Sequence, residues 1–454
     1  MDMILTTVLK IFEKHYLCIH CLGRMFSLLG SRTTNQDRGT SLLLSLTMEN
    51  HKNLLSNDDD QKEHALYNLK ILAERANYTP AQEVLKIEGI GFSLINPNQL
   101  CYLCQEIFSK IQKIGEKGIE ILKNIEFDNF LVGSSPDPQI INREDDLKSE
   151  FGILEAESFK THFNREMGKF LSLHLKKPPE FDTPDVSLIY HLNYESFYIE
   201  LKIKSLFIRG RYNKFVRGIP QTHWSCRNCK GKGCESCNYS GKQYLTSVEE
   251  LISPEFIAES RSTESKFHGA GREDIDVKML GKGRPFILQL KNPLIRSLDL
   301  VKLEKRVNKI NKKKVKIQDL KYSSKREVIN MKSEASKTLK VYRALIETEK
   351  RVTKAFYAEK LRELKLTFEN KEINQRTPQR VSHRRADKIR KKKIHRIRGQ
   401  FINSTLFEFI IESQGGTYIK ELINGDYGRT SPSFSDVFGF SLICKELDVL
   451  EINY

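Results

Sequence analysis

Two kinds of residue in this 454-residue chain are spaced for chemistry, cysteines in pairs and acids in a glycine-bounded loop. Eight of its nine cysteines form four C-x-x-C pairs: Cys18/Cys21, Cys101/Cys104, Cys226/Cys229 and Cys234/Cys237. Cys444 stands alone in an apolar Leu-Ile-Cys context that reads as core packing. Disulfide frameworks belong to short secreted chains, so paired thiols in a long basic chain read as metal ligands. The last two pairs are spaced C-x2-C-x4-C-x2-C among glycines that permit tight turns, and they predict one metal site. The first two, separated by 79 residues, are expected to complete a second four-thiolate site. A redox C-x-x-C is the competing reading, and no thioredoxin-like context flanks either pair. Four sulfurs leave no open position for water, so either metal would be structural.

The acidic stretch is Gly271-Arg272-Glu273-Asp274-Ile275-Asp276-Val277, between His268-Gly269-Ala270 and a Gly281-Lys282-Gly283-Arg284-Pro285 turn. A small-residue loop that hands carboxylates to the start of a strand can hold one of them rigidly. Taken alone, the stretch fits equally a hairpin whose charges face water. Asp274 and Asp276, two apart, would share one face of a strand.

The elements that position these residues follow from pattern. A helix over residues 1 to about 30 leads into Cys18 and Cys21, and Cys101 opens another through Lys123. Strand and helix then alternate over about 125–210: Phe130–Val132, Val186–Tyr190 and Tyr198–Ile203 as strands, with a helix beginning at Asn164. Asn164-Arg-Glu-Met-Gly-Lys169 with Pro184-Asp185-Val186 resembles a THUMP domain, an RNA-binding module of tRNA-modifying enzymes. Arg209, Arg211, Lys214 and Arg217 alternate with Tyr212, Phe215 and Trp224, an arrangement suited to phosphates and stacked bases of looped RNA. Thr338–Leu345 reads as strand to loop, Thr405–Glu412 as a strand, Gln414–Ile423 as a turn into a helix, and Leu447–Ile452 as a final strand.

The formal charge of +17 points to a polyanion, most simply nucleic acid. It is clustered, with eight Lys/Arg against one Glu in 302–316 and eleven against one Asp in 376–398. Ile389, Ile394 and Ile397 predict that part of the second block folds. Lys10, Glu13, Lys14 and His15 break the N-terminal apolar run, and no run approaches the roughly 20 apolar residues of a membrane span. A soluble, cytoplasmic protein is expected.

In combination and order, the early C-x-x-C pairs, Gly210-Arg211-Tyr212, Arg217-Gly-Ile-Pro-Gln-Thr222, the second cysteine cluster, Gly271–Val277 and Gly416-Thr-Tyr-Ile-Lys-Glu421 resemble the archaeal tRNA pseudouridine(54/55) synthase family over nearly the whole chain. The resemblance implies an α+β fold: an N-terminal zinc-binding and THUMP-like α/β region, then a mixed α/β catalytic domain. The expected boundaries are 1–125 (helical, zinc-binding), 126–205 (THUMP-like) and 206–454 (catalytic, with zinc cluster 226–237 and basic RNA-binding segment 376–398). It implies isomerisation of uridine in the T loop of tRNA, at position 54, 55 or both, by base flipping with structural zinc and no organic cofactor, in a monomer. It selects Asp274 as nucleophile, leaving Asp276 a structural role. It makes Lys420 the cation that keeps the aspartate ionised, Tyr342 a substrate contact and general base, Tyr418, Arg211 and Arg217 further substrate contacts, and Leu447 an apolar wall. Another THUMP-bearing tRNA-modifying enzyme lacks support, because no glycine-rich cofactor loop follows a strand. A non-catalytic zinc RNA-binding protein is the third reading, and base conversion in tRNA separates it from the first.

Overall fold

The computed structural model describes residues 3–30, 32–96, 98–334 and 338–453. The chain divides into two compact units, residues 1–204 and 205–454. No helix among the described residues is long and apolar enough to cross a membrane.

In the first unit the expected N-terminal helix is two, Met3–Lys14 and Ile19–Met25, because Cys18 is extended and starts the second. The helix Asn35–Leu54 opens with a capping box: Thr34 Oγ1 accepts from the Asp37 amide at 3.0 Å and the Asp37 carboxylate from the Thr34 amide. It packs against Ile19–Met25 through Gly23 and Gly39, so closely that a Cβ on Gly23 would stand 1.8 Å from the Asn35 carbonyl oxygen. The helix expected from Cys101 begins only at Ile111, since Gln105 and Glu106 adopt left-handed backbone angles that no α-helix admits.

Strands β1 (Phe130–Pro136), β2 (Val186–Leu192) and β3 (Phe197–Ile203) form a sheet in that order, β1 parallel and β3 antiparallel to β2. Burial alternates along β2, which puts Val186, Leu188 and Tyr190 inside. The helix carrying Asn164 runs Phe159–Leu175; it starts five residues earlier than expected, after Ser158, whose hydroxyl accepts from the Thr161 amide. One hydrophobic core extends from Val8 to Leu192 and joins the helical and sheet parts of this unit.

The second unit is built on a ten-stranded sheet. Its strands are β4 (Leu206–Lys214), β5 (Glu264–Gly269), β6 (Lys278–Lys291), β7 (Val315–Ser323), β8 (Leu339–Glu347), β9 (Lys371–Arg376), β10 (Ile389–Asn403), β11 (Leu406–Gln414), β12 (Thr430–Ser431) and β13 (Ile443–Asn453). The order is β12-β9-β10-β11-β8-β13-β6-β4-β7, with β5 also paired to β6. Only β13 and β6 run parallel; the other pairs are antiparallel. Alternation along β8 and β11 buries Tyr342, Ala344 and Ile346 with Phe407, Phe409 and Ile411.

Both basic blocks are folded. Residues 302–316 lie mostly in the helix Leu300–Ile310 and the start of β7. Residues 376–398 leave β9, make a 3-10 turn and enter β10, where Ile394 and Ile397 are buried while Ile389 stays exposed.

The glycine contact between the first helices sets a stability test. Gly23→Ala should lower the unfolding free energy by about 1–3 kcal/mol, the usual penalty of overpacking. Urea denaturation reads it, and an unmoved midpoint would mean that the two helices part at no expense.

Candidate active site and metal centres

Each cysteine set is gathered as its spacing predicts. In both sets the four sulfurs lie within 4.8 Å of one another. Sγ of Cys18 and Cys104 are 3.7 Å apart; Cys226–Cys234, Cys229–Cys237 and Cys234–Cys237 are 3.9, 3.8 and 3.7 Å apart. Those are the edges of a tetrahedron around an ion bound at about 2.3 Å, roughly 3.8 Å each, and too long for disulfides. In the second set, backbone amides of Gly233 and Gly241 donate to Cys229 and Cys237 sulfur at 3.2 and 3.3 Å. Gly231, Gly233 and Gly241 have positive φ, the conformations for which the glycines are needed. The donor sets fit a tetrahedral thiophilic cation with no position left over.

The acidic loop is not a strand. Residues 270–277 form a loop and turn that end where β6 begins, so Asp274 and Asp276 are not held to one face. The residue beneath them, Glu273, is 5% exposed. Tyr212 Oη lies 2.8 Å from both its oxygens, Arg284 Nε 2.8 Å from Oε2, and Lys214 Nζ 4.0 Å from Oε1. Gln221 donates to Tyr212 Oη at 2.8 Å and to the Gly271 carbonyl at 3.1 Å. Buried Lys214 also donates to the carbonyls of Asp274 and Ile275, both at 3.2 Å, while Arg217 holds that of Asp276 at 2.7 Å. The turn that presents the two aspartates is therefore bolted from below at three consecutive carbonyls.

This changes the role of the Arg209–Trp224 segment. Tyr212 and Lys214 are buried beneath the loop. Arg211 donates to the carbonyls of Lys282, Gly283 and Ile452, and Arg217 to the Leu447 carbonyl and the Glu446 and Asp448 carboxylates. Trp224 lies under the Arg272 guanidinium, 4.6 Å away. Of the alternating cations and rings, Arg209 and Phe215 reach the surface. Arg211 and Arg217, expected against RNA, hold the strands and loop in place and do not line the cavity above.

That cavity, about 390 Å³, is lined by the loop, by β8 through Lys340 and Tyr342, by β13 through Leu447 and Val449, by the 3-10 turn and β10, and by Gly415–Lys420. It brings together Asp274, Tyr342, Tyr418, Lys420 and Leu447. Register explains the apolar wall, since Val449 pairs with Tyr342 and Leu447 with Ala344 across β13 and β8. Nine basic residues against two acids line it, which selects for an anionic ligand.

The expected pairing of Lys420 with Asp274 is not the one observed. Lys420 Nζ is 2.6 Å from Asp276, and Arg380 meets Asp274 at 2.9 Å. Arg380 also pairs with Glu421 at 2.6 Å, so Lys420 and Glu421, adjacent in the helix Ile419–Asn424, position one cation for each aspartate. Burial pushes the Asp276 carboxyl up, but the Lys420 hydrogen bond and charge hold it below the ordinary value. Burial pushes the Tyr342 phenol up to about 12, with Arg284 opposing and Asp274 adding, so the free protein keeps that proton. Tyr418 Oη accepts from Arg385 at 2.9 Å, and the Gln375 side chain holds the Tyr418 backbone at both ends.

Glu273, Arg284, Lys214 and Gln221 were not legible as site residues, because nothing in composition says that a charge will be buried. Arg380 was visible only as one cation of a basic block.

Two tests follow from these arrangements. Metal analysis of the purified chain should return two ions, and one ion would dismiss one cysteine set. Glu273→Ala leaves Arg284 and Lys214 buried without their acid and should destabilise the second unit by about 3–5 kcal/mol in denaturant unfolding. A loss under about 1 kcal/mol, the scale of an exposed ion pair, would mean that Glu273 is not the anchor described.

Comparison with known proteins gives the family. The family model described as "Pus10, C-terminal" matches residues 207–453, and that described as "Pus10 THUMP domain, archaeal" matches 114–191. A relative from Methanocaldococcus jannaschii named tRNA pseudouridine synthase Pus10 is 41% identical over 98% of this chain and 93% of its own. Relatives of the same name from Methanothermobacter marburgensis and Pyrococcus furiosus are 42% and 32% identical, over 81% and 99% of this chain and 89% and 98% of theirs. Among solved structures, a Cbf5-Nop10-Gar1 complex is similar over 45% of either chain at 18% identity with a TM-score of 0.28, too loose a likeness to build on. The C-terminal match covers more than half of the chain and the relatives nearly all of it: the protein belongs to the Pus10 family.

Proposed function

We propose that this Pus10-family chain isomerises uridine to pseudouridine in the T loop of tRNA, at position 54, 55 or both, with Asp274 as the catalytic carboxylate. The observation that carries the reading is Asp274 itself. It stands on a turn fastened from below, meets Arg380 at 2.9 Å and faces a cation-lined cavity. That volume lies within the usual ~300–1,000 Å³ of small-ligand pockets and suits one flipped nucleotide.

The reaction exchanges one bond of the base for another. Asp274 attacks C1′ as the bond from C1′ to N1 breaks, the freed base rotates, C5 bonds to C1′ as the Asp274–C1′ bond breaks, and the C5 proton leaves while N1 takes one up. Asp274 must be ionised for this, and Arg380 supplies the adjacent positive charge. Tyr342, Leu447 and Val449 form the wall on which the base packs and turns, and Tyr342 receives the C5 proton only once it has given up its own, which burial opposes in the free protein. Tyr418 closes the other side, fixed by Arg385. Lys420 acts through Asp276, which it holds as the second fastening of the turn. Arg211 and Arg217 act on RNA indirectly, through the backbone they order. The two four-sulfur sites hold structural zinc, and the protein works as a cytoplasmic monomer.

Incubation with unmodified tRNA and mapping of pseudouridine tests the whole reading. Asp274→Asn should lower conversion by a factor on the order of 10⁴ or more while tRNA binding holds or improves. Arg380→Met should cost more activity than Lys420→Met, because only Arg380 meets Asp274. Asp276→Asn should give a partial loss. Conversion at the parental rate by Asp274→Asn overturns the assignment, and a dead Asp276→Asn beside an active Asp274→Asn exchanges the two roles.

A further inference from the structure

Lys340 is a cation in the cavity that the reaction above does not use. It is 6% exposed, sits two residues before Tyr342 on the same face of β8, and lines the same cavity. The other cations deep in the wall are engaged: Arg284 by Glu273, Arg380 by Asp274 and Glu421, Lys392 by the Gly415 carbonyl at 2.8 Å, Lys420 by Asp276. Lys340 alone of these has neither a hydrogen-bond nor an ion-pair partner among the described residues.

Its neighbourhood is predominantly positive, with Arg284 and Lys392 facing it against the one carboxylate of Glu273. A Cβ on Gly271 would stand 3.2 Å from Lys340 Nζ and 3.3 Å from an Arg284 terminal nitrogen, so two cations converge where the loop carries no side chain. The charged groups that face Lys340 are Arg284 on β6, Lys392 on β10 and Glu273 in the loop, and Lys332 lines the same cavity. Glu273 is already shared between Tyr212 and Arg284. A buried cation without a partner is costly unless a ligand supplies the opposite charge.

We infer that Lys340, where it lines the cavity beside Gly271, forms a subsite for one backbone phosphate of the RNA flanking the flipped nucleotide. This rests on the reading of the cavity as an RNA site. Free of ligand, burial first and the Arg284 charge second push the Lys340 amine down to about 7. At pH 8 an amine with a pKa of about 7 is neutral in about nine molecules of ten. A phosphate at the amine favours the ammonium, so RNA binding takes up a proton, and affinity falls as pH rises above 7. A site made only of arginines shows no such linkage, because the guanidinium stays charged throughout this range.

The test uses a T-arm stem-loop with single neutral methylphosphonate linkages placed in turn around the target uridine. One linkage should lower wild-type affinity about tenfold, and the same linkage should leave Lys340→Gln binding unchanged. Lys340→Gln should itself bind the natural stem-loop about tenfold more weakly, with the slope of log affinity against log salt smaller by about one. Calorimetry of wild type at pH 8 in two buffers of different ionisation enthalpy should show uptake of nearly one proton, abolished by that linkage. The calorimetric arm needs no variant and stands if Lys340→Gln fails to fold. Equal effects of every linkage in both proteins, or no proton uptake, overturn the subsite. Pseudouridine mapping on the natural stem-loop keeps the two readings apart: its failure sinks the isomerase, whereas conversion without Lys340 linkage sinks only the subsite.

Discussion

The second unit depends on one buried carboxylate. Glu273 gathers a phenol and an ammonium from β4 and a guanidinium from β6 beneath a surface loop. Alone, any of them would be expensive to remove from water; together they compensate one another. Lys214, drawn there by the acid, has protons left over, and these hold the Asp274 and Ile275 carbonyls. Rigidity at Asp274 thus arises from desolvation one residue earlier. A carboxylate on a polar loop would otherwise sample many positions, and in a reacting site an ångström of misplacement is enough to reduce rate strongly.

Above the loop the electrostatics are divided. Arg380 bridges Asp274 and Glu421, and Lys420 covers Asp276, so two aspartates two residues apart have separate counter-ions. Both cations answer to the short helix Ile419–Asn424, which is itself set by Gln375 holding the Tyr418 backbone. Arg380 also belongs to the segment richest in positive charge. Ligand contact with that segment and the charge state around Asp274 are consequently properties of one piece of chain.

What could be read from sequence was what is local. The cysteine sets were legible because two thiols three residues apart already face one ion, and the strands of the first sheet because burial alternates along them. Family resemblance selected Asp274, Tyr342, Tyr418, Lys420 and Leu447, and all five line one cavity. What escaped was long-range. Arg211 and Arg217 look like RNA contacts in a row of cations, yet their partners are carbonyls and carboxylates 59 to 241 residues away. Lys420 was matched to the wrong aspartate because the claim of Arg380 on Asp274 comes from a turn 106 residues beyond it. The delayed helix after Cys101 reflects two left-handed residues that a polar Gln-Glu pair does not announce.

The placement of β13 carries a consequence for synthesis. This strand, the last along the chain, lies in the middle of the sheet, between β8 and β6. A ribosome therefore delivers β4 to β7 and β8 to β11 as two half-sheets with facing open edges, and unpaired edges are sticky. The halves join only when residues 443–453 emerge, and the same residues bring Leu447 and Val449 to the cavity wall. That cavity wall is thus completed by the same strand that joins the two half-sheets.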